Sequence, residues 1–391
     1  MFDLEYVCNY FKALVIPHTP DGFTVAERFK YGLTDAEIRK GIDAFRIFLY
    51  TLFDKLIAEK DKIDLKTRHN YNPYSNTDKH DIRMCFPSIY DLIIILLSFG
   101  IHGKLETKPE KNICINGKDL FTVICPITEK YNSLNKMSGE RKLEMFRLLS
   151  DVGIRFNGAD FSDEVDFSKV ETFTITHVKN EFFPVGLKLL SEATLNNKHY
   201  IKLNNLFVAV FLRCDYYPLV NAVPKKHKIK INDIAHTQSP DVREWILSTN
   251  KFLTHHGCGL TQSGGNEYTS ATRNTGIMKG RILRLHIGIT GCFATPGINH
   301  IKNPINILAE LPDSIIDIII DKKNHSHGSC GQCSGNIAYA QCKIGGPIQF
   351  TYKNEDIVKC RVSDIKIPLD NAAYRDWVLK WVEMEIRYWK R

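Results

Sequence analysis

The feature that most constrains how this chain can fold is a cluster of soft metal ligands near its C-terminus. Cys330 and Cys333 form a Cys-x-x-Cys pair, and Cys342 and Cys360 follow it. Four thiolates can hold one zinc ion in a tetrahedron, which is how structural zinc is usually bound. Such an ion requires all four positions to meet, so the sequence predicts a small C-terminal unit that is organised by zinc.

The ligand set has alternatives. His325 and His327 precede the Cys-x-x-Cys pair and would replace Cys342 or Cys360 if either thiol points elsewhere. The cysteines also fit a set of metal-free thiols, because the second half of the cluster has no Cys-x-x-Cys of its own. A four-thiolate site accepts iron as well as zinc, although zinc is the commoner structural ion. Four protein ligands leave no position for water, so the predicted site is structural rather than catalytic.

Composition and cysteine usage bound the class of protein. The chain has 391 residues, of which 43% are hydrophobic and 25% charged, as in an ordinary folded protein. Eleven cysteines, an odd number and mostly scattered, are typical of a reducing compartment rather than of a secreted disulfide scaffold. The longest apolar run, Leu92–Leu97, is too short to span a bilayer, and acids stand where a secretory leader carries Lys or Arg. We therefore expect a cytoplasmic protein with no membrane partner.

Hydrophobic periodicity predicts an α+β fold in which helices pack with short antiparallel sheets. Thr34 and Glu37 form a capping box before a long helix, and Arg281–Ile289 alternates as a strand does. Asn116-Gly117 predicts a tight hairpin turn between two short strands. Helices are further predicted at Ile89–Phe99, Ser138–Asp151, Pro184–Leu195, Pro240–Gly257 and Pro312–Lys323, and a last helix is predicted to be capped by Asp370. Strands are predicted at Phe173–Val178, Ile348–Tyr352 and Ile357–Val362.

The predicted domain organisation follows from these elements. Residues 1–324 form a main body, and residues 325–391 form the Cys-rich unit, which consists of a hairpin and the last helix. Residues 218–238 contain Pro218, Pro224 and a basic run, so an internal boundary of the main body is predicted there.

A second candidate site lies in the polar, Gly-rich stretch Thr254–Gly276, which lacks periodicity and is predicted to be a long loop. Its glycines would let backbone amides approach an anion beside a cationic side chain, and a cysteine nucleophile there would need an imidazole from the stretch or from His286. A mobile surface loop without function is the alternative. The candidate ligand-binding residues are His255, His256, Cys258, Glu267 and Arg273.

The net charge of +8 permits an acidic partner without requiring one. Basic residues and tyrosines suggest a nucleic-acid face, although charge runs are usually solvated loops. The residues concerned are Lys225–Lys230, Arg273, Lys279, Arg281 and Arg284, with Tyr216, Tyr217 and Tyr268 as stacking candidates. The leading hypothesis is a binding protein with a structural zinc site, whose partner is a protein or a nucleic acid. The alternative is an enzyme with its active site on the 254–276 loop.

Overall fold

The computed structural model describes sixteen stretches of the chain. They are residues 4–16, 18–20, 22–60, 87–122, 138–161, 165–167, 169–196, 211–220, 230–264, 267–274, 277–288, 291–297, 312–320, 347–353, 355–360 and 366–389. The chain divides into two compact units between His227 and Lys228, inside the stretch 218–238. The division predicted at residue 324 falls outside the described residues and stays a prediction.

The first unit combines helices with one antiparallel sheet, whose strand order is β1-β2-β4-β3. The α+β class predicted from the sequence is therefore confirmed for this unit. Its elements are α1 (Leu4–Leu14), α2 (Asp35–Ala58), α3 (Pro87–His102), β1 (Lys104–Glu106), β2 (Asn112–Asn116), α4 (Gly117–Thr122), α5 (Gly139–Asp151), β3 (Ile154–Asn157), β4 (Thr172–His177) and α6 (Phe183–Asn196).

Helix α6 lies at the centre of the first unit. It packs against α2, α3 and the sheet, and nearly all of its residues are buried. The backbones of α2 and α6 approach closely at Gly41 and Gly186, where a Cβ atom on Gly186 would lie 2.0 Å from the Gly41 carbonyl oxygen. The buried Lys188 of α6 donates to the Gly103 carbonyl at 2.8 Å, just beyond the end of α3, and pairs with Glu192 at 3.2 Å. Its charge is thus compensated inside the core.

The N-terminus of α2 is fixed by its local sequence. The Thr34 hydroxyl accepts the Glu37 amide, and the Glu37 carboxylate accepts the Thr34 amide, so the predicted capping box is confirmed. Such a cap contributes about 1 kcal/mol. Further along the helix, the buried Arg46 donates to the Ile16 carbonyl at 2.7 Å and forms an ion pair with Asp43, which ties the segment after α1 to α2.

Aromatic packing joins the sheet of the first unit to its helices. Phe146 of α5 lies 4.3 Å from Phe161 and 5.0 Å from Phe156 of β3, measured between ring centroids. The ammonium of Lys142 lies 4.9 Å from the centre of the Phe167 ring, and burial lowers its pKa. Rings at these separations are expected to add to the stability already gained from their buried area.

The hairpin predicted at Asn116-Gly117 is wrong. Strand β2 ends at Asn116, and helix α4 begins at Gly117. The Asn116 side chain accepts the Asp119 amide at 3.2 Å, as the side chain of a helix N-cap does. A Cβ atom at position 117 would lie 2.3 Å from the Val170 carbonyl oxygen, so glycine serves close packing here rather than a turn.

The second unit is built on a five-stranded antiparallel sheet with the order β11-β8-β7-β6-β5 and a separate two-stranded hairpin, β9-β10. Helix α10 packs on β7, β8 and β11, and it buries Val378, Trp381 and Val382. The elements are α7 (Ile231–Ala235), α8 (Pro240–His255), β5 (Thr261–Gly264), β6 (Glu267–Asn274), β7 (Ile277–Gly288), β8 (Gly291–Pro296), α9 (Asp313–Ile320), β9 (Pro347–Tyr352), β10 (Glu355–Cys360), β11 (Ile367–Pro368) and α10 (Ala372–Trp389).

Most predicted elements of the second unit are confirmed. The strand at Arg281, the hairpin near residues 348–362 and the helices after Ser239, Pro312 and Asp370 all occur within one to four residues of their expected bounds. At the last helix, Asn371 and not Asp370 accepts the first amide, that of Ala373, at 2.9 Å. No helix among the described residues has both the length and the apolar character needed to cross a membrane.

Replacing Gly186 with alanine is expected to lower the free energy of unfolding by about 3 kcal/mol, because the added methyl group meets the Gly41 backbone, which cannot move aside. Gly139→Ala is the matched control, since its Cβ would meet only a ring atom of Phe167 at 4.0 Å. The control should change stability by at most about 1 kcal/mol. Urea titration of both variants checks the difference, and equal stability would contradict the close approach.

His177 should make the first unit sensitive to acid. Its Nδ1 accepts the Lys179 amide and its Nε2–H donates to the Val152 carbonyl, each at 3.2 Å, so the ring is held neutral. Burial lowers its pKa from the ordinary 6.5. The unfolded ring therefore binds a proton at a higher pH than the folded ring, and stability is lost as the pH falls below about 6.5.

The test compares the wild type with His177→Gln by urea titration between pH 7.5 and about 5. The wild type should lose more unfolding free energy than the variant as the solution is acidified. Parallel pH profiles for the two proteins would show that the His177 ring is not held neutral.

Candidate functional site

The two neighbouring histidines lie at the C-terminal end of α8. His255 is exposed, and the half-buried His256 donates from Nδ1 to the Phe252 carbonyl at 2.9 Å. The His256 ring also lies 4.5 Å from the Phe252 ring. An imidazole that donates to the last carbonyls of a helix stabilises the end of that helix. The His256 geometry is thus accounted for by helix capping.

Cys258 completes this helix end. Its thiol is buried and donates to the Leu253 carbonyl at 3.3 Å, and its backbone amide donates to the same oxygen at 2.9 Å. Between them, Gly257 adopts φ +75°, a left-handed conformation that suits glycine just beyond a helix. This arrangement supports a structural role for Cys258. A nucleophile would need the thiol at an accessible surface beside a base.

The long loop predicted over Thr254–Gly276 is not what the structure shows. Strands β5 and β6 occupy most of it, and β6 pairs along its whole length with β7. The polar residues of β6 conceal the strand in the sequence, because its apolar partner strand and not its own pattern fixes it in the sheet. Glu267 lies opposite His286, and Arg273 lies opposite Met278. Six residues of strand separate Glu267 from Arg273 by about 20 Å, so the five predicted site residues do not meet in one pocket.

Two ionisable residues and an aromatic residue lie side by side across the sheet where β6, β7 and β8 pair. Glu267 of β6, His286 of β7 and Phe293 of β8 are successive cross-strand neighbours, and the His286 and Phe293 ring centroids lie 6.4 Å apart. The next row is Thr269, Arg284 and Thr295. His286 and Arg284 are half-buried on the face opposite the fully buried Leu283, Leu285 and Ile287.

The cysteine cluster lies mostly outside the described residues. This applies to Cys330, Cys333 and Cys342 and to the alternative ligands His325 and His327. Cys360 is the last residue of β10, and the register of the hairpin places it opposite Pro347, the first residue of β9. The part of the chain that the structure describes contains no group of three His, Cys, Asp or Glu residues arranged to hold a metal ion. The zinc site therefore stays a prediction.

Two of the three stacking candidates on the predicted nucleic-acid face are buried, and the third, Tyr217, is half-buried. Tyr268 is 1% exposed and lies opposite Leu285 in the sheet. Tyr216 is 4% exposed and meets the Phe23 ring edge-to-face at 5.1 Å, and burial raises the pKa of its phenol. Neither ring is accessible for stacking on a base. Most of the run Lys225–Lys230 lies outside the described residues, but Arg273, Lys279, Arg281 and Arg284 all lie on the β6–β7 pair.

The distribution of acidic residues along the sequence distinguishes the same pair of strands. No Asp or Glu occurs from Tyr268 to Ala309, a run of 42 residues, whereas the whole chain has 44 acids in 391 residues. This run includes most of β6 and all of β7 and β8. A search of the sequence for runs without Asp or Glu, rather than for runs of Lys and Arg, would have identified these strands.

Comparisons with known proteins give no direct guide to function. The chain matches no protein-family model, no curated protein and no solved structure at a significant level. Function must therefore be argued from the residues and their geometry.

Replacing Cys258 with alanine should lower the free energy of unfolding by about 1 to 2 kcal/mol, because a buried hydrogen-bonded group is lost. Cys114→Ala, at a half-buried position of β2, is the control and should cost less. Urea titration measures both variants. Rapid alkylation of Cys258 in the native protein would instead show an accessible thiol and would contradict the structural role.

Proposed function

We propose that the chain is a binding protein whose C-terminal residues are ordered by a structural zinc ion and whose partner is a protein or a nucleic acid. The ligands are Cys330, Cys333, Cys342 and Cys360. The observation that carries the proposal is the register of the β9–β10 hairpin, which returns Cys360 to the start of β9.

The hairpin limits how far Cys360 lies from the rest of the cluster. Cys342 precedes Pro347 by five residues, and a fully extended chain of that length spans at most about 18 Å. Because Cys360 lies opposite Pro347, the third and fourth thiols are confined to one neighbourhood. The eight residues between Cys333 and Cys342 allow the Cys-x-x-Cys pair to reach the same point.

A metal would also stabilise the hairpin. Strands β9 and β10 pair only with each other among the described strands, and an isolated two-stranded hairpin is marginally stable in water. The ion pair between Lys353 in its turn and Asp317 of α9, at 3.2 Å, is exposed and therefore adds little. A zinc ion at the open end of the hairpin would add to its stability.

A closed site of four thiolates favours binding over catalysis. Such a site leaves no position for water or substrate, so the metal holds a surface in shape instead of activating a reactant. One observation supports the enzyme alternative: Glu267 and His286 lie opposite each other on neighbouring strands. It is weakened by the separation of Glu267 from Arg273 and by the structural role of Cys258.

Elemental mass spectrometry of untagged protein, purified without added metal, tests this proposal. The wild type should contain about one zinc ion per chain, and Cys330→Ser/Cys333→Ser should contain almost none. Cys114→Ser is the matched control, because it removes one thiol from β2 of the first unit and should keep the metal. A metal-free wild type would refute the proposal, and iron in place of zinc would correct the ion.

Two single variants identify the ligand set. Cys360→Ser should lose most of the zinc because thiolate is the stronger ligand, whereas His327→Ala should retain it. The reverse pattern would show that the imidazole, and not the thiol at the end of β10, completes the site.

A further inference from the structure

One lysine of the first unit is buried among aromatic rings. Lys142 of α5 is 7% exposed, although lysine is among the residues that are least often buried. Its ammonium lies 4.9 Å from the centre of the Phe167 ring and 5.6 Å from the centre of the Phe121 ring in α4. A lysine packed in this way buries its four-carbon stem and keeps its amine toward water.

The carboxylates on the neighbouring elements pair with other cations. Glu144 of α5 and Asp91 of α3 both pair with Arg141, at 2.5 and 3.1 Å. Asp166, which is next to one of the two rings in the sequence, pairs with Lys169 at 3.1 Å. Among the described residues, the buried ammonium is thus placed against rings rather than against a carboxylate. Rings offset only part of the cost of burying a charge.

The position of Lys142 in its helix adds to this cost. Ser138 caps α5, and the Lys142 amide donates to the Ser138 carbonyl at 3.0 Å, which places the lysine in the first turn. A cation is disfavoured there because the helix dipole is positive at its N-terminus. Burial also lowers the pKa of the amine. Near neutral pH, a larger fraction of this amine is therefore neutral, and hence nucleophilic, than of an exposed lysine.

The cost of charge at this position distinguishes between the modifications that an amine can undergo. Methylation keeps the positive charge, and an imine formed with an aldehyde is readily protonated, so both leave a cation among the rings. Acylation leaves a neutral amide. Of the three, acylation alone removes the charge that the surroundings disfavour.

We propose that Lys142 is an acylation site, whose amine accepts an activated acyl group carried as a thioester or as an acyl phosphate. The neutral amine attacks the acyl carbon and forms a C–N bond. The C–S bond of the thioester, or the C–O bond of the acyl phosphate, breaks, and the leaving thiolate or phosphate takes the electron pair. The nitrogen loses a proton to solvent, so the step needs no oxidant or reductant. This site goes beyond the proposed binding function and does not depend on the zinc ligands.

Competitive acetylation of the folded full chain tests the proposal. The protein is treated with acetyl-CoA in one arm and with acetyl phosphate in another, between pH about 7 and about 10, and peptide mass spectrometry follows each lysine. Lys251 of α8 and Lys380 of α10 are internal references, because both are exposed. Lys380 is also a matched control, since its ammonium lies 5.0 Å from the Trp377 ring without being buried.

The quantity compared is the rate at pH about 7.5 divided by the rate at pH about 10, which cancels differences in accessibility. This ratio should be at least about threefold larger for Lys142 than for both references, because more of its amine is neutral at the lower pH. Equal ratios at the three lysines would overturn the proposal, and so would the absence of acetyl groups on Lys142 with both donors. Reaction with one donor alone would support the proposal and identify the carrier.

A variant of the ring cluster tests the physical cause. Phe167→Ala should expose the amine and bring the Lys142 ratio close to that of Lys251, whose own ratio should stay unchanged in the same sample. Circular dichroism checks that the variant is folded. A folded variant with an unchanged Lys142 ratio would overturn the role of the rings. If the variant does not fold, the ratios in the wild type decide the proposal alone.

Discussion

The length of strand β7 is the constraint on which the second unit depends. Its twelve residues pair with β6 on one side from Ile277 to His286 and with β8 on the other side from Leu283 to Gly288. In that shared half, Leu283, Leu285 and Ile287 are fully buried, and α10 packs on the sheet. The other half of β7 has no second neighbour among the described strands.

The basic residues on β6 and β7 have a physical explanation in the protection of strand edges. Unpaired edges invite aggregation, and proteins place charges on them, lysine above all. Lysine and arginine on these strands would therefore protect an edge without any bound partner. The run from Tyr268 to Ala309 contains five Lys and Arg residues and no acid. Positive charge of this kind also favours association with a polyanion.

Sequence reasoning succeeded where a local rule determines the structure. Thr34 and Glu37 cap α2 because each side chain bonds the other's backbone within one turn, so no distant residue is needed. It failed where contacts between residues distant in the sequence determine the local structure. Asn116-Gly117 is a turn signal in isolation, but packing against Val170 and Glu171 makes it the start of a helix. Strand β6 carries no apolar alternation of its own, so only its pairing with β7 reveals it. Because strand β6 was not predicted, Glu267, Arg273 and the α8 histidines were expected on one loop, whereas the strand separates them.

The cysteines show the same division between local and long-range determinants. Isolated thiols such as Cys258 and Cys292 are buried in the fold, and burial raises the pKa of Cys292, which disfavours the thiolate that a metal or a substrate would need. The C-terminal cysteines differ because they flank a hairpin with no other described strand beside it. If zinc holds that hairpin, its affinity is part of the folding free energy, and acid should release metal and structure together as the thiolates gain protons. The metal would then determine whether this part of the chain has a fixed surface to offer a partner.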